Sequence, residues 1–97
     1  MKVIVLDPAR DELIGACDYY LHKANAHIAE KFLEQFGETM ALILGNPAMG
    51  KLLSPRLRTM PVSHFPYSVI YRITPDAVIV HAVAHHRRRP GYWAKRS

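Results

Sequence analysis

Tyr67-Ser68-Val69-Ile70-Tyr71-Arg72-Ile73-Thr74-Pro75-Asp76-Ala77-Val78-Ile79-Val80-His81-Ala82-Val83-Ala84-His85 is the stretch whose reading decides the fold. Its first seven residues are mostly β-branched or aromatic, and Tyr67, Val69, Tyr71 and Ile73 alternate onto one face. Tyr71 is expected to pack under a covering layer, with Arg72 facing the other side. Thr74-Pro75-Asp76-Ala77 carries turn residues. A second strand then runs from Val78 to His85. Strict alternation places Val78, Val80, Ala82 and Ala84 on one face, and Ile79, His81, Val83 and His85 on the other. Two such runs joined by a short turn form an antiparallel hairpin.

Working outward, Leu57-Arg58-Thr59-Met60-Pro61-Val62 reads as a further strand that Pro61 disturbs or ends. Residues 47–56 contain Pro47, Gly50 and Pro55 and read as a loop. Upstream the period becomes helical. Ile28, Phe32, Phe36, Met40, Ile43 and Leu44 make an apolar stripe that ends at Gly45-Asn46-Pro47. Lys23-Ala24-Asn25 separates this helix from an earlier one, which spans Pro8 to His22 with Leu13, Cys17, Tyr20 and Leu21 at helical spacing. Asp7 is the expected N-cap and Pro8 the first helical residue. Asp11 and Glu12 fall in the first turns, where the helix dipole favours acids. Val3-Ile4-Val5-Leu6 reads as a short buried strand. Downstream, the tail from His86 is too polar and cationic to be core. The order is β-α-α-β-β-β: an α+β fold, a helical hairpin packed on a mainly antiparallel sheet, in one domain spanning 1–97.

Composition excludes several classes. The chain is 49% hydrophobic and 22% charged, ordinary for a globular domain. Its one cysteine, Cys17, excludes an internal disulfide and a cysteine-rich metal site. Cys17 reads as a small buried helix residue, which fits a reducing, cytoplasmic home. The apolar start stops at Asp7-Pro8, too short for a signal-peptide core or a membrane span. Of the histidines, His81 and His85 share an expected strand face but lie roughly 13 Å apart when extended, too far to hold one ion. No metal, cofactor, phosphate loop or nucleophile elbow is expected. Tyr19-Tyr20 reads as half core and half surface.

Charge is divided unevenly. Residues 1–40 hold four basic and seven acidic side chains; residues 41–97 hold nine basic and one acidic, within a net charge of +5. That asymmetry gives the second half an anionic partner, either nucleic acid or an acidic protein segment.

The second half also resembles a known family. RelE/ParE toxins share this element order and carry runs similar to Phe65-Pro66-Tyr67-Ser68-Val69-Ile70-Tyr71-Arg72 and to Ile79-Val80-His81-Ala82-Val83-Ala84-His85-His86-Arg87-Arg88-Arg89-Pro90-Gly91-Tyr92-Trp93. Asn46-Pro47 and Gly50 also look like the family's loop. The resemblance implies a bacterial growth-inhibiting toxin held inactive by a cognate antitoxin in a toxin–antitoxin hetero-oligomer. RelE-type members cut ribosome-bound mRNA with lysines, arginines and a tyrosine. ParE-type members are binders, with DNA gyrase as the assigned target.

The residues favour the ParE-like branch. Where RelE-type nucleases carry an arginine, this chain has Ser68, which supplies no cationic fork to a phosphate. Their second arginine matches His86, beside Arg87, and their late tyrosine matches Tyr92. A ParE-like toxin that binds a ParD-like antitoxin and gyrase, and is not an enzyme, is therefore the first reading. Its expected contact residues are Arg58, Tyr71, Arg72, His85, Arg87, Arg88, Arg89, Tyr92 and Trp93. A RelE-like endoribonuclease acting on ribosome-bound mRNA through His85, His86, Arg87, Arg88 and Tyr92 is the alternative, with neighbouring arginines holding a histidine neutral as base. A non-specific nucleic-acid-binding domain, resting on charge alone, is the third. Trp93 is expected to dock the tail.

Overall fold

The computed structural model describes residues 1–96. Its elements are β1 (Lys2–Val5), α1 (Asp7–Lys23), α2 (Ala26–Gly45), a 3-10 turn at Pro47–Met49, β2 (Lys51–Leu52), β3 (Arg58–Pro61), β4 (Tyr67–Ile73) and β5 (Ala77–His85). The strands form one sheet in the order β1-β5-β4-β3-β2, with β1 parallel to β5 and the other pairs antiparallel. This is the expected helical hairpin on a mainly antiparallel sheet, with one strand more. β2 lies inside the stretch expected to be loop. Its two residues pair with Thr59 and Arg58, and two residues carry no readable period.

Local chemistry sets the helix boundaries. Asn25 caps α2, its side-chain oxygen accepting from the Ile28 N–H at 3.0 Å. At α1 the cap position falls on Leu6, whose backbone is extended and whose side chain makes no capping bond. Asp7 is thus the first helical residue rather than the expected cap, and its carboxylate meets Arg10 at 3.5 Å on the surface.

The larger correction concerns β5. Tyr71 pairs with Val80 and Ile70 with Ala82, which leaves His81 as an extra residue, a β-bulge. Alternation is broken there. Val78, Val80 and Val83 share the helix-facing core with Val69 and Tyr71, whereas Ala82 and Ala84 join Ile70 on the opposite face. The expected continuous face Val78-Val80-Ala82-Ala84 does not exist.

The helix-facing core is aromatic and aliphatic. Phe32 meets Phe65 and Tyr67 with ring centroids 5.1 and 5.2 Å apart, and Tyr20 meets Phe65 at 5.1 Å. Ala9 and Ala16 are buried and let α1 lie close to β5. Tyr20 packs inward and Tyr19 stays exposed. Cys17 is half-buried against the same core, and burial pushes its thiol up. Leu21 and Leu44, read as part of the apolar stripes, are exposed. Also against expectation, β1 is not buried: Val3 and Ile4 are 38% and 42% exposed, because β1 is an edge strand paired only with β5.

Candidate functional site: the basic tail and the sheet face it covers

The tail from His86 folds back as consecutive turns, with the Arg88, Ala94 and Arg96 N–H groups donating to His85, Gly91 and Trp93 carbonyls. Tyr92 and Trp93 are half-buried against Ile70, Ala82, Ala84 and Leu57, forming a second, smaller core on the face away from the helices. Their rings meet edge to face at 5.1 Å. Trp93 docks the tail as expected, and Tyr92 joins it, although the tail as a whole was expected to be too polar for a core.

One carboxylate gathers this tail. β1 ends at Val5 opposite Val80, and the Leu6 N–H makes the last bond to the Val80 carbonyl at 3.1 Å. Beyond that point side chains take over the edge of β5. The Val83 N–H donates to Glu12 Oε1 at 3.1 Å, and Arg96 Nη1 donates to the His81 carbonyl at 3.0 Å. Arg96 also donates to Glu12 Oε1 at 2.7 Å and to Oε2 at 3.3 Å. The Tyr92 hydroxyl donates to Glu12 Oε2. Arg88 reaches the same oxygen at 3.5 Å and lies 3.8 Å over the Tyr92 ring, with Arg96 4.9 Å from it. Burial, then the hydrogen bond to Glu12 and its negative charge, pushes the Tyr92 phenol well up, so Tyr92 is a donor and not a proton acceptor near neutrality. The Arg96–Glu12 pair is largely shielded, with side-chain exposures of 19% and 13%, whereas Arg88 at 55% is solvated and contributes little.

At the end of β5, Ser68 Oγ lies 2.9 Å from His86 Nε2, and the His86 N–H donates to the Pro66 carbonyl at 2.8 Å. Serine and histidine thus stand in contact where two arginines were expected of a nuclease. His85 stacks edge-on to Tyr67 at 5.0 Å, and its Nδ1 accepts from the Arg87 N–H at 3.0 Å. Burial, then Arg87 and His86, holds the His85 ring below its ordinary pKa. The neutral ring therefore carries its proton on Nε2, and its acceptor nitrogen is already occupied.

Arg58, Tyr71 and Arg72 have internal duties. Arg58 Nη1 donates to the Ala48 and Gly50 carbonyls at 2.9 and 2.8 Å. The Tyr71 hydroxyl donates to the Pro47 carbonyl at 2.7 Å and accepts from the Gly50 N–H at 3.1 Å. A Cβ at Gly50 would sit 2.2 Å from that hydroxyl, so only glycine permits this approach. Tyr71 is fully buried, which corrects its expected place among the contact residues. It positions the 47–50 loop instead. Arg72 Nε donates to His81 Nε2 at 3.0 Å. The neutral His81 proton is then on Nδ1, a buried atom with no partner among the described residues. Burial, then Arg72, Arg56 and Arg96, lowers the His81 pKa. Arg87 and Arg89 are exposed and pair with no acid among the described residues.

Glu12, Arg96 and His81 were not expected at the site. A signal for Glu12 was present: it shares the Ala9, Leu13 and Ala16 stripe at helical spacing, and a carboxylate on a buried stripe needs partners. Among the described residues no three His, Cys, Asp or Glu side chains converge to hold a metal ion. No helix among them is long and apolar enough to cross a membrane.

The family model described as "ParE toxin of type II toxin-antitoxin system, parDE" matches residues 3–90. The chain belongs to the ParE toxin family. Among solved structures, the chain is similar to one described as the chromosomal ParDE TA system from P. aeruginosa, at 17% identity and a TM-score of 0.76, covering 88% of this chain and 95% of that one. At that identity the likeness concerns the fold. No curated protein matches. In this ParE-family chain the matched segment ends at Pro90, so Glu12 lies within it while its partners Tyr92 and Arg96 lie beyond.

Proposed function

We propose that this ParE-family chain arrests growth in the bacterial cytoplasm by binding DNA gyrase, and that a cognate ParD-like antitoxin neutralises it in a hetero-oligomer. The observation that carries the binding mode is the Ser68–His86 contact. A nuclease of the related RelE type would need cationic groups around a phosphate and a free base. Here one of the two positions is a hydroxyl hydrogen-bonded to the other's imidazole. His85 offers no free acceptor nitrogen, and Tyr92 is spent on Glu12. What remains outward-facing is charge without chemistry, Arg87 and Arg89, beside a docked aromatic pair. Such a surface suits engagement of an acidic protein segment.

Induction of the toxin alone, followed in parallel by a gyrase supercoiling assay and by mRNA integrity, tests this. Lost supercoiling with whole mRNA is the expected result. Cut ribosome-bound mRNA with intact supercoiling sinks the reading in favour of a ribonuclease. For the antitoxin contact, Arg87→Glu together with Arg89→Glu should weaken antitoxin binding by about 10-fold or more, mostly through slower association at low salt. Unchanged affinity would remove these arginines from the interface.

A further inference from the structure

The sheet has two edges, and they are guarded differently. On one side it ends in β2, only two residues long. On the other it ends in β1, with Lys2, Val3, Ile4 and Val5. Edge strands resist further pairing by being very short, or by carrying proline, a bulge or an inward-pointing charge. Brevity protects β2. From Val3 to Leu6 the β1 edge carries no proline, charge or register shift, and its side chains are all apolar.

Register fixes which backbone groups of β1 are free. The Lys2 and Leu6 N–H groups donate to the Asp76 and Val80 carbonyls, each at 3.1 Å, so the even-numbered residues aim their peptide groups at β5. Those of Val3 and Val5 aim away from the sheet, where no described strand stands. That spacing is self-complementary. With a second copy running antiparallel and Ile4 on the two-fold axis, Val3 faces Val5 of the copy, and Val5 faces Val3 of the copy. Each facing pair exchanges both of its N–H···O bonds. Ile4 then meets Ile4 of the copy in the pair between them, where side chains stand closest.

Charge agrees with that direction. The strand and its exit carry one cation, Lys2, and one anion, Asp7, at opposite ends. An antiparallel copy brings Lys2 of one chain to the Asp7 end of the other, whereas a parallel copy would align like charges. Room exists at that end, in a cleft of about 540 Å³ lined by Ile4, Val5, Leu6, Asp7 and Pro8 with Lys95 and Arg96. Of its two cations, Arg96 is held on Glu12 and Lys95 is exposed to solvent.

We propose that the β1 edge is a self-association surface, at which a second copy of this chain pairs its own β1 antiparallel and continues the sheet across a two-fold axis. A single short strand pair covers much less than the roughly 1,200 Å² of a standard interface, so the dimer is weak, with a dissociation constant of about 0.1 mM. The inference uses the sheet edge alone and does not rest on the gyrase reading.

The test follows the full chain by NMR on dilution from about 1 mM to about 0.02 mM, which spans that constant. The Val3 and Val5 amides should shift with concentration and exchange more slowly with solvent at the high end. The Ile4 amide, already bonded to β5, should stay protected throughout. Ile4→Lys sets two ammonium groups face to face and should weaken association about tenfold. Its thermal melt should match the parent's, since the side chain it replaces is 42% exposed. Cross-linking reads the register in a Cys17→Ala background. Ile4→Cys puts two thiols beside the axis with Cα atoms about 4.5 Å apart, within disulfide reach. Lys2→Cys puts them roughly 14 Å apart, beyond it. Under mild oxidation the Ile4→Cys chain should form a covalent dimer about tenfold faster than the Lys2→Cys chain. A monomer over the whole range, a dimer that Ile4→Lys leaves intact, or equal cross-linking of the two cysteine variants overturns the proposal. Should Ile4→Lys disturb the fold, the cross-linking comparison decides alone.

Discussion

On one face of the sheet, α1 and α2 seal Phe32, Ile43, Val69, Tyr71, Val80 and Val83 with their partly buried aromatic neighbours Tyr20, Phe65 and Tyr67. On the other, an irregular tail lays Tyr92 and Trp93 across Ile70, Ala82 and Ala84 and is fastened through Glu12. The helix face is held by apolar area, which is non-directional and is not weakened by charge screening. The tail face has small side chains beneath it and two aromatics above, and it depends on several directional bonds converging on one carboxylate. A single substitution can therefore release the second face while the first stays packed, and the face that carries the exposed arginines is the one that can loosen.

Phe32→Ala should have the largest effect, a loss of about 3–5 kcal/mol in denaturant unfolding, because the cavity lies at the centre of the aromatic cluster. A much smaller loss would place the stability of the domain elsewhere. Glu12→Ala comes next. It strands the Val83 N–H, the Tyr92 hydroxyl and the shielded Arg96, at a cost of about 2–4 kcal/mol. It should also expose the tail to trypsin at Arg87 and Arg88 while near-ultraviolet dichroism of the helix-side aromatics persists. If that helix-side signal collapses with the tail, the two faces are one cooperative unit and the contrast fails.

Tyr71→Phe should cost about 1–2 kcal/mol, since the Pro47 carbonyl and Gly50 N–H each lose a buried partner. Amide exchange should rise first in residues 47–52. The smallest effect is that of pH. His81 is held below its ordinary value of 6.5 in the folded state, so as pH falls below that value the unfolded chain takes up a proton that the folded chain refuses. Stability should therefore decline between pH 7 and pH 5, with the His85 shift adding to it in the same direction. His81→Gln should flatten that decline in thermal melts; an unaltered slope would assign the acid sensitivity to other groups.

Much of the layout was legible because it is written in short-range patterns. The helical stripe of α2, the turn at Thr74-Pro75-Asp76 and the alternation in β4 each involve neighbours a few residues apart. What escaped was non-local or too brief to have a period. β2 is two residues long and exists only because β3 lies beside it. The bulge at His81 leaves no mark in a sequence of Val, Ile and Ala that fits either face. At the site, the tail was visible as charge and aromatics, but the partition of its arginines was not. Arg96 turns inward onto Glu12, Arg88 reaches the same carboxylate from solvent, and Arg87 and Arg89 stay outward, according to where Glu12 sits, more than seventy residues earlier in the chain.

The sequence by itself determined the helical hairpin, the three longer strands that follow it, the buried face of β4 at Val69 and Tyr71, and the family to which the chain belongs. Those follow from periodicity, turn chemistry and spacing, all readable along one dimension. The tertiary structure alone decided which charged groups are free and which are spent. It turned Tyr71 inward to hold a loop, spent Tyr92 on Glu12, and set Ser68 against His86. Whether a side chain is a donor, an acceptor or an available charge depends on what stands within about 3 Å of it, and strand pairing and the bulge bring those partners together from distant parts of the chain.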